Sequence, residues 1–199
     1  PTYNRPKMLM ECLNSIINNI DFEYKIIISD NSNNDNTKNA IKNFKERNHN
    51  VSIIYKKNKK NIGMVSNWFQ SISLAKSEFL NIISDDDLIY DGNVYKKAIE
   101  NLNNEDLNYF ISNSVLMKNN NYNEIKYRSK LSTYTPLDII KAWNYGRLNI
   151  YPCSVIARTK TLKQNIDDYN LKNKKINLCI DTFIFYPSFC KEKYILFSE

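Results

Sequence analysis

Apolar residues at Leu9, Leu13, Ile16, Ile17 and Ile20 recur at the spacing of one helix face. The chain before them, Pro1-Thr2-Tyr3-Asn4-Arg5-Pro6, has the composition of a loop. Residues 24–29 form a short apolar run, Lys25 excepted, which ends at Asp30 and predicts a buried strand. The polar stretch Asn31-Ser32-Asn33-Asn34-Asp35 supplies short side chains that cap helices. A helix follows over about 37–48, with Ala40, Ile41 and Phe44 inward and Asp35 as its cap. The pattern then predicts a strand over 51–55, a helix over 64–75, and a strand over 79–84 that runs into Asp85-Asp86-Asp87. A helix over 93–102 and a strand over 109–117 complete this half.

Strands alternating with helices imply right-handed crossovers, hence an α/β fold with a mostly parallel sheet flanked by helices. Such sheets place ligands beyond the carboxyl ends of their strands. Asp30 and residues 85–87 both fall at such ends, so the architecture brings them to one rim. The second half is less regular. Residues 119–134 are polar, with room for one hairpin. Thr135-Pro136-Leu137-Asp138 starts a helix that ends at Gly146. A strand over 153–157, a helix over 178–189 and a strand over 194–197 follow. No linker marks off a second domain, so 1–199 reads as one domain.

Composition narrows the class. A chain of 199 residues, 42% hydrophobic and 25% charged, has the makeup of an ordinary globular domain. At this size roughly 70% of the extended-chain surface can be buried, so folding needs neither a disulfide nor a structural metal. Four cysteines (Cys12, Cys153, Cys179, Cys190) show no paired spacing and read as reduced, which points to a cytoplasmic compartment. The single histidine, His49, sits in a polar stretch and supports no zinc site. No apolar run approaches 18 residues, the length of a membrane span. The net charge of +7 favours anionic partners, and Lys56, Lys57, Lys59 and Lys60 read as a solvated loop. Only three glycines occur, and Gly63 is the one whose place suggests a backbone requirement.

The strongest chemical signal is Ser84-Asp85-Asp86-Asp87 after an apolar strand. Three adjacent carboxylates repel one another. A hard divalent cation offsets that repulsion, taking one or two carboxylates plus phosphate oxygens as ligands. A solvated acidic turn or a helix cap is the plainer alternative.

The opening Pro1-Thr2-Tyr3-Asn4-Arg5, the turn Ile28-Ser29-Asp30-Asn31-Ser32, the pair Asn61 and Gly63 with Asn67, and the acidic triplet resemble family 2 glycosyltransferases in order and spacing. The match covers roughly the first half of the chain, and the triplet looks like the DXD motif of the GT-A (Rossmann-like) fold. The resemblance implies a nucleotide-sugar-binding half over 1–118 and an acceptor-side half over 119–199. It implies that Thr2, Tyr3, Asn4 and Arg5 wrap the nucleotide and that Asp30 reads an imide edge of the base, typically uracil. Asn61, Gly63 and Asn67 then line the donor, with Asp85 on its ribose side. Asp86 and Asp87 are the expected metal ligands for Mg²⁺ or Mn²⁺. The family's general base falls at Asp181, where many relatives have Glu-Asp and this chain has Ile180-Asp181. Asp167-Asp168 is a poorer rival.

The resemblance implies an inverting, metal-dependent transfer of a sugar from a nucleoside-diphosphate sugar, UDP-linked in the typical case, to an acceptor hydroxyl. The acceptor would be a sugar or lipid-linked saccharide, and the role cell-surface polysaccharide or lipopolysaccharide synthesis. Peripheral association with the inner face of the cell membrane would fit that acceptor. Trp68, Trp143, Tyr145 and Tyr151 are candidates for a sugar platform, though aromatics at such spacing are more often core. In the family a hydrophobic strand directly precedes the opening loop, whereas residue 1 here is already the loop's proline. The chain is therefore expected to be a fragment lacking its first strand. A non-catalytic nucleotide-sugar-binding relative is one rival reading. A nucleic-acid-binding domain is another, disfavoured because the carboxylates would repel phosphate.

Overall fold

The computed structural model describes residues 1–104, 107–118, 121–125, 132–135, 141, 150–172 and 195–197. The chain divides into two compact units. The first comprises Pro1–Lys76 and Ile83–Asn93, the second Ser77–Ile82 and Val94–Glu199.

In the first unit, helix α1 (Pro6–Asn19) starts on a proline, whose fixed φ suits a first helical turn and whose missing N–H costs nothing there. It buries Leu9, Cys12, Leu13 and Ile16, the face that the spacing predicted. Strand β1 (Lys25–Asp30) runs parallel to β2 (Ser52–Lys57), from Lys25 opposite Ser52 to Asp30 opposite Lys57. Helix α2 (Asn36–Arg47) makes the crossover between them and buries Thr37, Ile41 and Phe44. Helix α3 (Met64–Leu74) buries Trp68 and Ile72, so Trp68 is core rather than a sugar platform. Full burial of a residue such as Leu13, Ile41 or Ile72 stabilises by roughly 1.5–3 kcal/mol each.

Two local expectations fail here. Asp35 occupies the N-cap position of α2 but makes no capping hydrogen bond. Its carboxylate instead accepts from Lys57, whose ammonium holds it below the usual carboxylate range. Lys56 and Lys57 lie in β2, not in a loop.

The second unit contains a five-stranded sheet in the order β3-β8-β4-β9-β7, with β3 at Phe79–Asn81, β4 at Tyr109–Ile111, β7 at Ser132–Tyr134, β8 at Val155–Arg158 and β9 at Ile195–Phe197. Strands β3 and β4 share one direction, as alternation with helix α4 (Asn93–Asn104) predicts, but β8 lies antiparallel between them. Strand β9 is parallel to β4, and β7 is antiparallel to β9. The run at 109–117 is two strands, because β5 (Ser114–Lys118) leaves the sheet to form a hairpin with β6 (Asn121–Ile125). Ala98, Leu102, Leu107, Phe110 and Ile156 form the core here.

The strand expected over 79–84 stops at Asn81, whose side-chain amide donates to the carbonyls of Cys153 and Val155. Helix α5 (Thr159–Lys172) was not expected from the sequence, and it contains Asp167-Asp168. Its described buried residues are Thr159, Leu162, Asn165 and Ile166, too few apolar positions for a legible stripe. No described helix is long and apolar enough to cross a membrane.

Gly92 carries a requirement that its sequence context hides. A Cβ there would lie 1.8 Å from the carbonyl oxygen of Asn19, at the end of α1. Neither partner is a flexible side-chain tip, so Gly92→Ala is expected to destabilise by about 2 kcal/mol or more. A lowered urea midpoint in equilibrium unfolding checks this.

Candidate functional site

Residues 2–5 form the edge of the site. Thr2 extends the sheet of the first unit, with its N–H donating to Ser29 O at 2.9 Å and its carbonyl accepting from Asn31 N at 3.0 Å. Because β2 occupies the other edge of β1, Thr2 takes the remaining edge, in register with Asp30. That register aims its hydroxyl at Asp85 Oδ2, 2.6 Å away in the interior. Asn4 then takes φ = 53°, a conformation that asparagine tolerates better than most residues. Its N–H donates to Ser32 Oγ, and its side-chain oxygen accepts from Asn33 N. Tyr3 is exposed, and its hydroxyl accepts from Asn33 Nδ2 at 3.0 Å.

Arg5 turns back onto the acidic triplet. Its Nε donates to Asp85 Oδ2 at 3.2 Å, its Nη1 donates to Asp86 Oδ2 at 2.8 Å, and its Nη2 lies 2.5 Å from Asp85 Oδ1. The last contact is ionic rather than a directed hydrogen bond, so the buried Oδ1 has no hydrogen-bond donor. The Asp85 side chain has no solvent exposure, whereas that of Asp86 is 47% exposed. Removing the partner of a buried charge typically costs 3–5 kcal/mol, which makes Thr2 and Arg5 necessary to Asp85. Asp87 closes the turn, with its N–H on Ser84 O and its Oδ2 accepting from Ser84 N. The repulsion within the triplet is thus met partly by a resident guanidinium, a counter-ion that the sequence reading did not assign.

Among the described residues no three His, Cys, Asp or Glu side chains converge on one metal position. The donor set still fits a hard cation that takes one or two carboxylates and completes its shell from phosphate and water. The half-exposed Asp86 is the oxygen chemistry such an ion prefers, whereas Asp85 Oδ1 already lies against the Arg5 guanidinium.

Asp30 is fully buried, with both oxygens engaged. Oδ1 accepts from Ser32 N at 2.8 Å, the turn-capping role, and Oδ2 accepts from the Tyr55 hydroxyl at 2.7 Å. Burial, and then this bond to Asp30, push the Tyr55 phenol well above its usual range, so it stays a donor. Tyr55 thereby fixes the carboxylate's orientation. Sequence reasoning missed it because a tyrosine in a strand carries no local sign of such a bond.

A buried amide cluster holds the Asn61 loop. Asn31 Nδ2 donates to Asn61 Oδ1 and to Gly63 O, both at 3.1 Å, while Asn31 Oδ1 accepts from Asn58 Nδ2 at 2.7 Å. Asn61 Oδ1 also accepts from Gly63 N at 2.8 Å. Asn67 Oδ1 accepts from Ser29 Oγ and Asn58 Nδ2, and its Nδ2 donates to Thr2 O at 3.3 Å. Asn67 therefore acts from inside, holding β1, α3 and the opening loop together. Gly63 has φ = 84° and ψ = 161°, a region essentially confined to glycine. No atom lies within 4 Å of its missing Cβ, so the need is for backbone freedom and not for space. Thr2, Tyr3, Asn4, Arg5, Asp30, Asn61, Gly63, Asn67 and residues 85–87 all belong to the first unit. Asp181 lies outside the described residues, as do Trp143 and Tyr145.

The model of the family described as "Glycosyl transferase family 2" matches residues 1–186. Over 93 residues the chain is 42% identical to abequosyltransferase RfbV of Salmonella typhimurium, a stretch covering 45% of this chain and 27% of that protein. Among solved structures, S. aureus TarS (residues 1–349) covers 100% of this chain and 56% of its own, with TM-score 0.71 and 20% identity. TarS has also been solved in complex with UDP and with UDP-GlcNAc. The mannosyltransferase PcManGT of Pyrobaculum calidifontis, solved with GDP-Man and Mn²⁺, covers 82% of this chain and 44% of its own, with TM-score 0.59 and 15% identity. These structural likenesses show the fold, and the α/β GT-A fold expected from the sequence is the one found. The chain spans little more than half of the longest-matched of these proteins.

Cys12 lies on α1, close enough to the triplet to feel its charge. Burial, and then the Asp87 carboxylate, push its thiol up to about 12 from 9.0. The folded state thus holds a proton that the unfolded chain releases, and the associated stability is complete below pH 9 and lost as pH rises toward 12. Unfolding titrations across that window are expected to show this loss in the native protein and a shallower one in Cys12→Ala.

Proposed function

Because the chain belongs to glycosyl transferase family 2, we propose that it binds a nucleoside-diphosphate sugar at the rim formed by residues 2–5, the Asp30 turn and the Asn61–Gly63 loop. It then transfers the sugar, with inversion, to a hydroxyl of a saccharide acceptor. The observation that carries the reading is the hydrogen-bonded continuity of this rim with the acidic triplet. Thr2 bonds Asp85 through its hydroxyl and Asn67 through its carbonyl, while Asn31 ties Asn61 and Gly63 to the same turn.

Each group has a task that its chemistry suits. Asp30 supplies acceptor oxygens whose orientation Tyr55 and Ser32 fix, which suits reading the imide N–H of uracil. The TarS complexes with UDP and UDP-GlcNAc favour a UDP-linked donor. Gly63 lets the backbone approach the donor. Asp87 and Asp86 are the proposed holders of Mg²⁺ or Mn²⁺, a choice that the Mn²⁺ of the PcManGT complex favours. When bound, such an ion supplies positive charge to the departing diphosphate. Arg5, held on Asp85 and Asp86, adds a fixed positive charge beside the diphosphate. Asp181 is the proposed general base, taking the acceptor proton as the oxygen attacks the anomeric carbon, a contribution of about 10²–10⁴-fold in rate. Residues 1–118 would form the donor half and 119–199 the acceptor half. A lipid-linked acceptor in surface-polysaccharide synthesis, at the cytoplasmic face of the membrane, completes the reading.

Isothermal titration of UDP, with and without Mn²⁺, tests this. Binding is expected to require the metal, and Asp87→Ala is expected to weaken it by at least about tenfold, the scale of one lost charged contact. Metal-independent binding, or an unchanged affinity in Asp87→Ala, would remove the metal from Asp87. Failure of any nucleoside diphosphate to bind would sink the donor site.

A further inference from the structure

The charge of this protein is not spread over it. Residues 36–60 carry eight Lys or Arg against a single Glu, so this one segment accounts for the whole net charge of +7 and the rest of the chain is neutral. The segment is α2, β2 and the turn that leads into Asn61. Lys38, Lys42, Lys45, Arg47, Lys56, Lys59 and Lys60 are all exposed. Few of these charges are answered within the fold. Lys57 pairs with Asp35, and Lys42 meets Glu46 at 4.0 Å in an exposed pair of the kind that contributes little. Lys38, Arg47, Lys56, Lys59 and Lys60 make no ion pair with a described residue.

The shape of the surface matters as much as its sign. Between α2 and β2 lies a groove of about 560 Å³ lined by Lys38, Lys42, Lys45 and His49 against the single acid Glu46, with Ile41, Val51 and Tyr55 as its less polar members. Strand β2 pairs only with β1, so its other edge is unpaired among the described residues. Alternation along that strand puts Ile54 and Lys56 on the face away from the groove, and Ile54 is 38% exposed among the lysines. The basic surface thus wraps a sheet edge and carries one apolar side chain. It ends at the loop that holds Asn61 and Gly63, the proposed donor rim.

We propose that this α2–β2 face docks the protein onto an anionic lipid bilayer. Clusters of four to eight basic residues bind acidic headgroups at about 1 kcal/mol per residue, roughly fivefold in partitioning each. A phosphate-bearing headgroup fits a groove lined mostly by lysines, with Ile54 outside it on the other face of the strand. Single-stranded nucleic acid is the other polyanion that such charge attracts, but its binding sites add exposed aromatic rings on which bases stack. Residues 36–60 offer little of this: Phe44 is buried, Tyr55 lines the groove half-buried with its hydroxyl on Asp30, and His49 is the one exposed ring. Docked this way, the enzyme would hold its donor rim at the bilayer surface. That last consequence alone rests on the glycosyltransferase reading.

Vesicle co-sedimentation of the whole protein tests the docking. Vesicles of phosphatidylcholine with about a quarter phosphatidylserine are expected to capture it, and pure phosphatidylcholine vesicles are not. Raising salt from about 0.05 to about 0.3 M should release it, because the attraction acts over the Debye length. The variant K38Q/K42Q/K45Q/R47Q keeps good helix formers in α2 and avoids every residue placed at the donor site. Its partitioning is expected to fall by about 100-fold or more, with circular dichroism and UDP affinity unchanged. Failure of the native protein to bind anionic vesicles, or undiminished binding by the variant, overturns the proposal and leaves the lysines as guards of an unpaired sheet edge. Tighter salt-sensitive binding to oligonucleotides than to vesicles would also overturn it, in favour of nucleic acid. Loss of UDP binding with vesicle binding intact would strike the donor site and not this surface.

Discussion

A carboxylate without solvent must find its partners inside the fold, and Asp85 finds them on the first residues of the chain. Its side chain accepts the Thr2 hydroxyl at 2.6 Å and lies against the Arg5 guanidinium. An unpartnered charge at that depth would cost several kcal/mol, more than most single contacts return. The opening residues are therefore not free to adopt other conformations. Thr2 must lie in register on β1, Asn4 must turn through φ = 53°, and α1 must start at Pro6. The position of the candidate site's edge follows from neutralising one buried acid.

The same economy explains the asparagines. Asn31, Asn58, Asn61 and Asn67 bond mostly to one another and to the backbone, and Asn31, Asn58 and Asn67 are buried. A neutral amide both donates and accepts, so a cluster of them can be satisfied internally without added charge. Charge is left to the two places where the proposed chemistry needs it, Asp30 and the triplet. Rigid placement of these groups is what a transferase requires if it is to orient a donor before the chemical step.

Much of this was legible in the sequence, for a physical reason. Asp30 and residues 85–87 lie at or just beyond the ends of apolar runs, a local signal, while Thr2, Asn61 and Gly63 were marked by the resemblance to the family's motifs. Gly63 drew notice by its place in the motif, and its φ is positive. What was illegible depends on residues far apart in the chain. Arg5 serves as counter-ion to Asp85 and Asp86 across the fold, Tyr55 orients Asp30 from the neighbouring strand, and Gly92 makes room for the carbonyl of Asn19. Helix α5 escaped because its buried face is sparse, and β8 entered the sheet between β3 and β4 where simple alternation would have set those strands side by side.

The central claim is that the opening loop binds donor only because it is held on Asp85. A double-mutant cycle on UDP affinity, with Thr2→Val, Asp85→Asn and the two combined, tests it most directly. The account predicts that each single change weakens UDP binding by about tenfold or more, the scale of one charge-assisted hydrogen bond, and that the double change is no worse than the poorer single one. Additive losses would contradict it, because they would mean that Thr2 and Asp85 serve the nucleotide independently.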